Sequence, residues 1–152
     1  MDVIGSKFTG GGRVGDFGWM IEQPEYDRAL FVFNDNATQF RSHRRHAPGA
    51  QRCSPGGGNA VIRPYQCQVP VRATGIPTGD DGRGFARLTD EVRGLIDEAV
   101  TVIEELLSTG RYDVVFYSGD GHGSLGTGIF DVGADVKDYI VERLEALGTP
   151  SA

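Results

Sequence analysis

The chain has 152 residues, with 15 Lys and Arg against 21 Asp and Glu for a formal charge of −6, and its length suits one domain with one core, since a domain usually takes about 100 to 200 residues. The acidic balance argues against wholesale binding to a nucleic-acid backbone or an anionic membrane, so any anion must be met locally. No run approaches the roughly 18 apolar residues of a membrane span, and Met1 to Gly12 lacks the order of a signal peptide, so a soluble, cytoplasmic protein is expected.

Glycine is the informative residue: 23 positions, roughly twice the average usage of about 7%. Six of them fall between Gly5 and Gly18, where no periodicity is sustained, so residues 1–18 are predicted to be irregular and to end in the apolar Phe17 to Ile21. Ala29 to Phe33 is a continuous β-rich run, predicted as a buried strand that stops at Asn34-Asp35-Asn36. Residues 39–58 read as a long polar loop carrying Arg41, Arg44, Arg45, Arg52, His43 and His46, and loops of that length are usually functional or disordered. Ala60-Val61-Ile62 and Ala73 to Ile76 look like strand ends opening into loops. From Asp90, the residues Val92, Leu95, Ile96, Ala99, Ile103, Leu106 and Leu107 keep the three-and-four spacing of a helix face, with acids at its start and Gly110 beyond its end. Val114 to Tyr117 is a second buried strand, and Asp135 to Leu147 a second long amphipathic helix. Strands alternating with helices predict a layered single α/β domain, residues 1–152, with a central mixed or parallel sheet flanked by helices.

In such a sheet the ligand crevice lies beyond the carboxyl ends of the strands. Three segments start there: Asn34 to Asn36, Thr78-Gly79, and Ser118 to Phe130. Ser118 to Gly128 alone holds five glycines, which would let backbone amides approach phosphate oxygens, with the next helix adding its dipole. The same glycines also suit a plain strand-to-helix turn. No Walker lysine follows, and Gly119 to Gly123 does not fit the dinucleotide fingerprint, so neither of those nucleotide sites is expected.

Leu125-Gly126-Thr127-Gly128-Ile129-Phe130 resembles the second phosphate loop of macrodomains, and Pro55-Gly56-Gly57-Gly58 resembles their glycine-triplet loop. Phe31 to Asn36, Gly57 to Arg63, Gly75 to Thr78 and Gly123 to Gly128 together are similar, in the same order, to segments of macro-like proteins from phage and bacterial genomes. The resemblance spans about Ala29 to Leu147. It implies a macro-like fold that binds ADP-ribose or a related phosphorylated nucleotide. Gly56, Gly57, Gly58, Asn59, Gly126, Thr127, Gly128, Ile129 and Phe130 would surround the diphosphate, with Asn34, Asn36 and Thr78 beside them and Asn36 near the distal ribose.

Catalysis does not follow from that likeness. Where glycine-triplet hydrolases carry an aspartate, this chain has Ala60; where the other hydrolytic branch has a lysine, it has Thr78-Gly79, and Asp131 is only offset from that branch's catalytic aspartate. Asp35, Asp120 and Asp131 are the candidate acid–base residues of an alternative reading, a hydrolase of ADP-ribosyl or N-glycosidic bonds. A third reading is an oligomeric protein that sequesters nucleotide signals. Aspartates beside Gly or Asn are also common turn residues. His122 suits either phosphate contact or a solvated loop, the basic stretch Arg41 to Arg52 either a phosphate clamp or a solvated charge run, and Trp19 and Tyr65 either adenine stacking or core packing. Cys53 and Cys67 match no redox or zinc spacing and read as separate thiols; with no cysteine or carboxylate at ligand spacing from His43 and His46, neither a metal nor a resident cofactor is expected.

Overall fold

A computed structural model describes residues 1–43 and 53–148. Five strands, β1 (Asp2–Ser6), β2 (Ala29–Asn36), β3 (Ala73–Asp80), β4 (Arg83–Gly84) and β5 (Val114–Ser118), form one sheet in the order β1-β5-β2-β3-β4. The first four neighbours run parallel and β4 returns antiparallel to β3. The helices are α1 (Phe17–Met20), α2 (Ala37–His43), α3 (Asp90–Leu107) and α4 (Ala134–Ala146), with 3-10 helices at Pro24–Tyr26 and Gly58–Cys67. The chain is thus a single α/β domain with a mixed sheet between helical layers. Among the described residues no helix is long and apolar enough to cross a membrane.

The alternation of β2 builds both layers, because successive side chains of a strand point to opposite faces. Leu30 and Val32 face Ile96, Ile103, Ile140 and Leu144 of α3 and α4. Phe31 and Phe33 face the other way, onto Phe17, Met20 and Ile62. There the Phe31 ring stacks on Phe116 at 5.4 Å and meets the edge of Phe17 at 5.2 Å. Trp19 and Tyr65 pack at the border of this second core, which is the core role of the two readings open to them.

The predicted helix from Asp90 runs to Leu107, started by the Thr89 hydroxyl accepting from the Val92 amide, and the second long helix lies within a residue of its predicted bounds. Other expectations need correction. Residues 2–6, predicted irregular, form β1 on the sheet edge, while 7–16 are irregular as expected. Ala60-Val61-Ile62 is no strand end but part of the 3-10 helix. This short run packs on the sheet face through buried Ala60 and Ile62, against Phe31 and Phe33 of β2. Within the predicted 39–58 loop, α2 continues β2: Asn36 Oδ1 accepts from the Gln39 amide at 2.8 Å, and Ala37 and Phe40 are buried. Arg44, Arg45, His46 and Arg52 lie outside the described residues. Cys53 and Cys67, read as separate thiols, meet as a disulfide pair with Cα atoms 5.9 Å apart. The 3-10 helix doubles the chain back, through a turn closed by the Gly56 amide on the Ala60 carbonyl.

Candidate functional site

Because β1, β5, β2 and β3 are parallel, their carboxyl ends share one edge, and the glycine-rich loops gather there. Asn34, near the end of β2, donates from Nδ2 to the Gly126 carbonyl at 2.7 Å. Its Oδ1 is buried with no hydrogen-bond partner among the described residues, as is Ser6 Oγ at the end of β1. Asn59 ties three segments together: Oδ1 accepts from the Phe17 amide at 3.0 Å, and Nδ2 donates to Ser118 Oγ at 3.0 Å and to the Gly15 carbonyl at 3.3 Å. The glycine-triplet loop and the Thr127–Phe130 turn are therefore anchored to neighbouring strand ends, one through Ser118 of β5 and the other through Asn34 of β2.

The glycines of these loops serve different ends. A Cβ at Gly126 would stand 2.6 Å from the Gly119 carbonyl oxygen, so close backbone packing requires glycine there. Gly56 lies against the Arg63 guanidinium. Gly57, Gly58 and Gly128 have open space where a Cβ would stand, with φ of +56° at Gly58 and +60° at Gly128. Gly57, at φ −80° and ψ 161°, has a backbone any residue adopts. Thr127 Oγ1 donates to the Phe130 carbonyl at 3.0 Å, closing the turn. That turn presents Ile129, 95% exposed, and Phe130, 47% exposed, to solvent.

Asp35 is the most constrained acid. Its Oδ1 receives Arg63 Nη2 at 2.6 Å and the Asn36 amide at 2.9 Å, Arg63 Nη1 continues to the Ser54 carbonyl at 2.8 Å, and the two side chains are 0% and 6% exposed. Burial pushes the Asp35 carboxyl above its ordinary value, against the opposing pull of Arg63 and the Asn36 amide. Asp120 is half-buried and folds its own loop. Its Oδ1 accepts from the His122 amide at 2.7 Å and the Ser124 amide at 3.0 Å, which hold its carboxyl below the ordinary value. Asp131 is exposed, and its backbone oxygen packs on Gly84. Thr78 is buried in β3, and its carbonyl accepts from the Phe85 amide at 2.9 Å.

The last helix does not take up the glycine loop directly. Residues 131–133 intervene, the Gly133 amide donates to the Phe85 carbonyl at 2.8 Å, and the Leu88 amide donates to Asp135 at 2.9 Å, so the start of α4 is engaged by residues 85–88. The helix that does begin at a glycine loop is the 3-10 helix, from Gly58. Sequence reasoning missed Arg63, Ser118 and Ser6. Arg63 stands at the end of the Gly57 to Arg63 segment, but nothing local signals its bond to a carboxylate 28 residues away. Chemically, this edge offers backbone amides, amide side chains and hydroxyls, a set suited to holding an anion and sugar hydroxyls. Compared with protein-family models, with curated proteins and with solved structures, the chain matches none.

Proposed function

We propose that the chain binds ADP-ribose or a related phosphorylated nucleotide at the carboxyl edge of its sheet, without turning it over. In this reading Gly56 to Asn59 and Gly126 to Phe130 flank the diphosphate, and Asn36 lies toward the distal ribose. The observation that carries it is the anchoring of both glycine loops to adjacent strand ends, by Asn59 on Ser118 Oγ at 3.0 Å and Asn34 on the Gly126 carbonyl at 2.7 Å. Two loops with little side-chain bulk, one leading into a helix start, supply amides for a phosphate chain. Binding is preferred to hydrolysis because Asp35 is engaged by Arg63 and Asp120 by two amides. A general base needs a carboxylate within reach of the water it activates, which leaves exposed Asp131 as the hydrolytic candidate.

A thermal-shift comparison tests the reading, since a ligand that binds only the folded chain raises its stability by about 2.7 kcal/mol at 100 times its Kd. ADP-ribose is expected to raise Tm by several degrees and adenosine by much less, because the contacts proposed are to phosphate. Equal shifts from the two would sink the assignment of phosphate loops. Release of free ADP-ribose from an ADP-ribosylated substrate would favour the hydrolytic reading and point to Asp131.

A further inference from the structure

His43 closes α2, Cys53 precedes the glycine triplet, and Cys67 closes the 3-10 helix. A ring nitrogen of His43 and the two sulfur atoms all lie within 4.8 Å of one another. Both cysteines are 5% exposed and the histidine 9%. We propose that, once a thiol reductant has split the disulfide into two thiols, His43, Cys53 and Cys67 supply three ligands to one divalent ion of the zinc class. This centre adjoins the glycine-triplet loop but stands whether or not a nucleotide binds in the crevice.

A disulfide engages the two sulfurs alone, whereas a zinc ion would engage all three donors of the cluster. Zn–S bonds of about 2.3 Å and Zn–N bonds of about 2.0 Å in a tetrahedron set the ligand atoms about 3.5 to 3.8 Å apart. That spacing lies within the cluster's 4.8 Å span, and side-chain rotation can open the sulfurs to it. Two thiolates and an imidazole are borderline-soft donors that select zinc over magnesium or calcium, which prefer oxygen. His43 Nε2 lies 3.1 Å from Gln39 Oε1. A hydrogen bond through one ring nitrogen is the orienting contact that metal-bound histidines usually make. The spacing rules used on sequence could not find the group, because the second gap alone is 14 residues and the familiar zinc patterns pair their ligands two to five residues apart. The ion would join the end of α2 to both ends of the segment that carries Gly56 to Gly58, Asn59 and Arg63, so it would hold the glycine-triplet loop in place.

The test is cobalt(II) titration of the full chain, reduced and stripped of metal, followed by zinc displacement. The expected result is uptake of one equivalent, with thiolate-to-cobalt charge-transfer absorption and the intense visible bands of a tetrahedral site, both lost when zinc is added. A chain oxidised to the disulfide beforehand should give no such spectrum. His43→Gln should bind cobalt more than about 100-fold more weakly, exceeding the usual effect of losing an outer-sphere partner. The proposal is overturned if the reduced wild-type chain gives no thiolate–cobalt absorption, or if folded His43→Gln reproduces the wild-type spectrum and affinity. Should His43→Gln not fold, the wild-type spectrum and its loss on oxidation decide the matter.

Discussion

Gly128 adopts φ +60° with nothing within 4 Å of where a Cβ would stand, so a substitution there meets backbone strain but no clash. Left-handed backbone costs a residue with a Cβ roughly 1 to 2 kcal/mol, and Gly128→Ala should lower Tm by a few degrees. Gly128→Glu carries the same strain plus a negative charge at the proposed diphosphate loop. Comparing the two by melting and by titration calorimetry therefore isolates the charge: alanine should weaken ADP-ribose binding modestly and glutamate abolish it. Wild-type affinity in a folded Gly128→Glu protein would move the site elsewhere. At this same scale Asp35 and Asp120 have separate fates, although each stands at a strand end beside Asn or Gly. One is buried against Arg63 and the other, half-buried, caps its own turn.

The 3-10 helix Gly58–Cys67 is the element on which the site depends. It starts at the glycine triplet, sends Asn59 to β5 and Arg63 to β2, and buries Ile62 in the core. Removing one partner of a buried ion pair leaves an uncompensated charge and typically costs about 3 to 5 kcal/mol. Urea denaturation should show that loss in Arg63→Ala and in Asp35→Ala. The double variant Asp35→Leu with Arg63→Met should recover much of it, since a buried pair replaced by apolar groups is often neutral. Additive losses in the double variant would mean that the two residues stabilise the helix independently. If the pair does position the glycine loop, the recovered double variant should still bind ADP-ribose more weakly than the wild type.

Over the whole molecule, one sheet serves two apolar layers, so both faces should unfold together. Phe31 is fully buried on one side and Ile96 on the other. Truncating each to alanine should cost about 3 to 5 kcal/mol for Phe31 and 2 to 5 for Ile96, with a single denaturation transition in either variant by fluorescence and by circular dichroism. Separate transitions for the two signals would mean that the layers are independent units. The parallel run of β1, β5, β2 and β3 also brings every candidate crevice loop to one edge, from parts of the chain as distant as Gly15 and Phe130.

Patterns a few residues long were legible in the sequence: the β-rich runs of β2 and β5, the face of α3, most of α4, and hence the layered α/β class. Each is set by side-chain periodicity along a continuous element. The glycine-rich character of the crevice loops could also be read directly. Which loops meet was decided by tertiary structure, because Asn59 reaches Ser118 and Asn34 reaches Gly126 only after the parallel sheet has assembled. Ala60 to Ile62 lie in a helix on the sheet face, and residues 2–6 pair with β5 as an edge strand, both placed by contacts with distant parts of the chain. The Asp35–Arg63 pair and the His43, Cys53 and Cys67 cluster have the same origin. Their partners are separated by too much chain for local spacing to carry the information, and burial alone brings them together.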